Sequence, residues 1–102
     1  MSATKTTPVV KITSDATEMV TAKGFGEALQ AALQLIPEYF PGTAEVNVDA
    51  YSEPEVGSEV CLAFELHSPF ERVPFKMAMR QYFYQLRREN NPIFLYLTVI
   101  NR

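Results

Sequence analysis

The sequence predicts an α+β two-layer sandwich, with two helices on one face of an antiparallel sheet of three to four strands, in the order αββαβ. Three patterns carry that expectation. Apolar residues recur at steps of three and four over residues 25–36 and again over 75–86, as on one-sided helices. Residues 44–51 and 60–67 alternate apolar with polar side chains, as half-buried strands do. A third alternating run, 93–100, closes the chain. At 102 residues, 47% of them hydrophobic, there is enough chain for one such core and too little for two.

Residues 1–8 are rich in Thr, Ser and Lys and read as a flexible N-terminus, leaving 9–102 as the single domain. Val9, Val10 and Ile12 suggest a short leading edge strand. Asp15 is placed to cap the Glu18 amide, with a short helical turn ending at Gly24. Phe25, Ala28, Leu29, Ala32, Leu33 and Ile36 then share one face of a helix over 25–39. Pro37 should kink it and Pro41-Gly42 should stop it.

In the strand over 44–51 Ala44, Val46, Val48 and Ala50 share a face; in the one over 60–67 Val60, Leu62, Phe64 and Leu66 do. The turn-rich run 52–58 joins them as a long hairpin tip. Ser68-Pro69-Phe70-Glu71 resembles a helix start, but Pro74 leaves two readings. Either one turn precedes a helix beginning near Val73, or the helix opens at Pro69 and bends. Asn90-Asn91-Pro92 ends that helix. A right-handed crossover makes the last strand parallel to the second, and placing it beside the first gives a fully antiparallel sheet in the order 2-1-3. Both helices should cover the Val46/Leu62/Leu97 face.

Charge and composition bound the function. The net charge of −3 is unevenly spread: residues 38–67 hold seven acids and no Lys or Arg, while 70–90 hold five bases against Glu71 and Glu89. No apolar run is long enough to span a bilayer, and the N-terminus has no signal-peptide core, so no membrane association is expected. A single cysteine, Cys61, cannot form an internal disulfide, and the cytoplasm is the expected compartment.

No residue set builds an obvious active site. His67 and Glu65 could serve acid–base chemistry beside Arg80, as in a small enzyme or ligand-binding protein, but no nucleophile accompanies them. Cys61 is roughly 20 Å along the strand from His67, too far for a dyad. Asp49, Glu53, Glu55 and Glu59 cluster around the hairpin tip without the order of a calcium loop, and a solvated tip is the simpler reading. Gly24-Phe25-Gly26 lacks the third glycine of a dinucleotide fingerprint, and no cofactor or metal is expected.

Two surfaces remain. Arg72, Lys76, Arg80, Arg87 and Arg88 should line one side of the second helix, as a phosphate-tracking helix would, although any amphipathic helix needs a polar face. An acidic pI of 5.1 and the carboxylates on the open sheet face argue against nucleic acid. The open face itself should carry Tyr51, Cys61, Ala63, Phe94, Tyr96 and Ile100, apolar enough to suggest a buried interface. The bland alternative is that residues 8–13 fold back over it.

Phe40-Pro41-Gly42, an alternating strand, Glu53-Pro54-Glu55 and a second alternating strand resemble small bacterial proteins of unknown activity. Some of those occur in gene pairs similar to toxin–antitoxin cassettes. The likeness spans the last two thirds of the chain. Glu53 stands where Asp is usual, and Tyr82-Phe83-Tyr84 stands where tryptophans are common. The resemblance implies a protein partner and no site. The sequence is therefore read as a non-catalytic protein-interaction module, homo-oligomeric or bound to a partner.

Overall fold

The computed structural model describes residues 8–52 and 60–102. The tail expected over 1–7 and the acidic hairpin tip with Glu53, Glu55 and Glu59 lie outside the described residues. Pro8, counted with the tail from sequence, is buried. The elements are β1 (Val9–Ile12), α1 (Ser14–Lys23), α2 (Gly26–Gln34), α3 (Ile36–Tyr39), β2 (Glu45–Ser52), β3 (Val60–Leu66), α4 (Arg72–Arg88), a 3-10 turn (Pro92–Tyr96) and β4 (Leu97–Asn101).

The α+β class holds, but the sheet is mixed, not antiparallel. Its order is β1-β2-β3-β4, with β1 parallel to β2, β2 antiparallel to β3, and β3 parallel to β4. The last strand thus lies outside β3, and β1 takes the place beside β2 that the sequence reading gave to it. All helices cover the face of Val46, Val48, Leu62, Phe64, Leu97 and Val99, as expected. The two parallel connections run in one direction across the sheet while their strands point oppositely, so their hands must differ. Val48 turns its side chain to the helices and its carbonyl to Thr13 after β1. For an L-residue that geometry makes β3–α4–β4 the right-handed crossover, and a right-handed exit from β3 leads away from β2. The three-helix connection from β1 to β2 has the opposite hand.

Local chemistry explains the helix boundaries. Thr13, not Asp15, caps α1: its hydroxyl accepts from the Ala16 amide at 3.2 Å. Gly24, at φ 69°, closes α1 in the left-handed conformation that favours glycine. The expected 25–39 helix breaks at Leu35 into α2 and α3, because Pro37 has no amide for the Leu33 carbonyl and is tolerated only in a first turn. That break also frees the Ala32 carbonyl, which accepts the buried Tyr82 hydroxyl at 2.7 Å. Of the two readings around Pro74, the late start is observed, at Arg72 with Glu71 at the cap, but the separate turn expected before it is not formed over 68–71.

The core is one cluster. Phe40 is fully buried against Phe75 and Tyr82, with ring centroids 5.2 and 5.6 Å away. Each such side chain contributes about 1.5–3 kcal/mol by leaving water. Asn91, 6% exposed, ties the far end together: its amide donates to Ala28 O and its oxygen accepts from Ile93 N, both at 3.0 Å.

Candidate functional site

The open sheet face is less apolar than the sequence suggested. Residues 92–96 are a 3-10 turn capped by Asn91, with Pro92 in its first turn, so β4 begins only at Leu97. Phe94 and Tyr96 are therefore not on this face. Both pack against the core from the helical layer, Tyr96 beneath Lys23 and 5.8 Å from the Phe25 ring. Tyr51, Cys61, Ala63 and Ile100 do share the face, with Ala63 only 8% exposed among larger neighbours. The segment 8–13 does not fold across it; it joins the sheet edge as β1.

Polar groups on this face satisfy one another. The Tyr51 hydroxyl lies 2.8 Å from Thr98 Oγ1, and Thr13 donates to Asp49 at 2.9 Å. Glu45 meets Lys11 at 3.1 Å, His67 at 3.5 Å and the Asn47 amide at 3.0 Å; Glu65 meets Arg102 at 3.2 Å. Hydrogen bonding from Asn47, then from Lys11, holds the Glu45 carboxyl below its ordinary value. A shallow depression of about 340 Å³ lies between Asp49, Tyr51, Ala63, Glu65, Thr98 and Ile100.

The Glu65/His67/Arg80 constellation is not assembled. Glu65 turns to Arg102, His67 is 47% exposed and faces Glu45, and Arg80 sits on the outer surface of the helical layer. Among the described residues no group of three or more His, Cys, Asp or Glu is placed to hold a metal.

The outer surface of α4 differs. Arg72, Lys76, Arg80, Arg87 and Arg88 are all exposed, and α4 contains no Asp or Glu. None of the five makes an ion pair among the described residues. They lie on one side of α4 but spread around it, because a step of four residues drifts about 40° around a helix. Arg72 and Lys76 lie toward β4, in a depression with Phe75, Met79, Val99, Ile100 and Asn101. Arg80 and Arg88 lie toward α3, in a cleft of about 370 Å³ with Tyr39, Gln81, Tyr84 and Gln85. At about 100° per residue, Val73, Met77 and Tyr84 fall between Arg80 and Arg88 on the circumference of α4, and they are 65%, 58% and 64% exposed.

Sequence reasoning gave Val73 and Met77 no role. The signal was present: with Arg80 and Tyr84 they fall at steps of three and four on the side opposite Phe75, Tyr82 and Leu86. A second exposed apolar set, Val9, Val10 and Ile12, lies on β1. That strand is short and carries Lys11, features that discourage edge pairing.

Among the described residues no helix is long and apolar enough to cross a membrane. Compared with models of protein families, with curated proteins and with solved structures, the chain matches none.

Proposed function

We propose that the chain is a protein-interaction module without catalysis of its own, and that it presents the outer face of α4 to its partner. One observation carries the reading: Val73, Met77 and Tyr84 stand exposed in the middle of five cations that have no partner among the described residues. An apolar centre rimmed by polar groups, with Tyr, Met and Arg enriched, is the anatomy of a protein interface. Fold maintenance accounts for little of it. Arg87 and Arg88 suit the negative end of the helix, but Arg72 and Lys76 sit near its positive end, where a cation is disfavoured.

Nucleic acid is the second reading, favoured by the same cations. Its weakness is the central Val73 and Met77, which offer a phosphate backbone nothing, where polar donors would be expected.

The test compares purified wild-type chain with a Met77→Glu/Tyr84→Glu double variant and with a Thr98→Glu variant on the open sheet. A protein retained stoichiometrically from source-cell extract by wild type and Thr98→Glu, lost by the double variant, and binding again when purified alone supports the proposal. Equal retention by all three chains, with unchanged melting, overturns it. Light scattering on the chain alone separates a second copy from a different partner.

A further inference from the structure

The α3–α4 cleft says something about the chemistry of that partner, and the inference rests on the interaction reading above. We infer that the partner is an acidic protein segment that places carboxylates between Arg80 and Arg88 and an apolar side chain beside Tyr84. Arg80 and Arg88 stand two turns apart on α4, about 12 Å along the axis at 1.5 Å per residue. Both line the cleft, and the space between them is walled by Tyr39, Tyr84, Gln81 and Gln85. Gln85 already donates to Glu89 at 2.9 Å, whereas neither guanidinium has a carboxylate among the described residues.

Such a cleft is selective in kind. Guanidinium groups bind carboxylate and phosphate alike, each able to give two parallel hydrogen bonds. The tyrosine rings and the neighbouring Met77 favour a ligand whose anionic groups alternate with apolar ones, which describes an amphipathic acidic segment better than a sugar–phosphate backbone. α4 itself adds no carboxylate to this surface, and Glu89, its C-terminal cap, is turned to Gln85 at the rim of the cleft.

Fluorescence anisotropy with the purified full chain tests this, using three probes: a synthetic amphipathic peptide of Glu and Leu, the same peptide with every Glu replaced by Gln, and a DNA duplex of matched net charge. The acidic peptide is expected to bind and to weaken steeply with salt. It should lose about tenfold or more in affinity on Glu-to-Gln replacement, and again in an Arg80→Glu/Arg88→Glu variant. Both arginines are exposed, so that variant should fold and melt only slightly below wild type, the small loss coming from the carboxylate that Arg88→Glu places at the negative end of α4. Equal binding of the Gln peptide, indifference to Arg80→Glu/Arg88→Glu, or tighter binding of DNA than of the acidic peptide overturns the inference. The two proposals fail separately: a partner lost on Met77→Glu/Tyr84→Glu but unmoved by salt and by Arg80→Glu/Arg88→Glu preserves the interaction reading and removes the acidic partner.

Discussion

The two broad surfaces of the domain, the open face of the sheet and the outer face of α4, both mix charges with apolar side chains, yet they treat those charges differently. On the sheet each carboxylate has a local answer: Glu45 has Lys11, Asn47 and His67, Glu65 has Arg102, and Asp49 has Thr13. On α4 five cations have none among the described residues, and three large apolar side chains stand out beside them. The lesson is that unmet bonding capacity, not the amount of apolar area alone, distinguishes a surface built for contact from one merely left exposed.

The contrast requires α4 to be a fixed shelf, and removing what fixes it is the hardest way to break it. Asn91 is the largest such element. Asn91→Ala leaves the buried Ile93 amide and the part-buried Ala28 carbonyl without their side-chain partner. At about 1–3 kcal/mol for the abandoned buried amide and about 1 kcal/mol for the bond lost at the part-buried carbonyl, a loss of about 2–4 kcal/mol is expected in urea unfolding. A loss below 1 kcal/mol would show that water or relaxation replaces Asn91.

Tyr82 should come next. Tyr82→Phe removes the donor to the Ala32 carbonyl, with an expected cost of about 1–3 kcal/mol and little change in packing. Burial raises the Tyr82 hydroxyl far above its ordinary value near 10. Because the folded state holds this proton more tightly, its contribution is complete below pH about 10, the unfolded value, and declines as pH rises beyond it. Wild type should therefore destabilise above pH 10 more steeply than Tyr82→Phe. Parallel curves would mean that Tyr82 is not held neutral by the fold.

How much of this was legible follows from what each pattern encodes. Alternation in 44–51 and 60–67 located the hairpin and its buried face, because burial acts on one residue at a time. It could not locate β4. Either hand of the β2–β3 hairpin buries the same side chains, and the hand decides on which side of β3 a right-handed crossover emerges. Phe94 and Tyr96 misled for a related reason: Pro92 and Asn91 start a 3-10 turn in which alternation no longer assigns faces. Arg72, Lys76, Arg80, Arg87 and Arg88 were readable as a basic face. Their lack of partners was not, since only a folded chain shows what stands opposite a charge.

The smallest effect is the sharpest probe of the comparison. Glu45→Gln keeps an acceptor for Asn47 and removes the charge that Lys11 and His67 meet. Because the folded carboxyl is held below its ordinary value, its stabilising contribution is present above the unfolded value near 4.5 and is lost as pH falls through the folded one. Wild type should thus exceed Glu45→Gln slightly at pH 7, and the difference should shrink as pH falls below 4.5 and with added salt. The matching change on the other surface, Lys76→Met, removes a cation with no partner among the described residues. It should alter stability by less than about 0.5 kcal/mol at pH 7 or pH 3. If Lys76→Met instead destabilises at pH 7 and not at pH 3, then α4 already answers its own charges, and the difference between the two faces disappears.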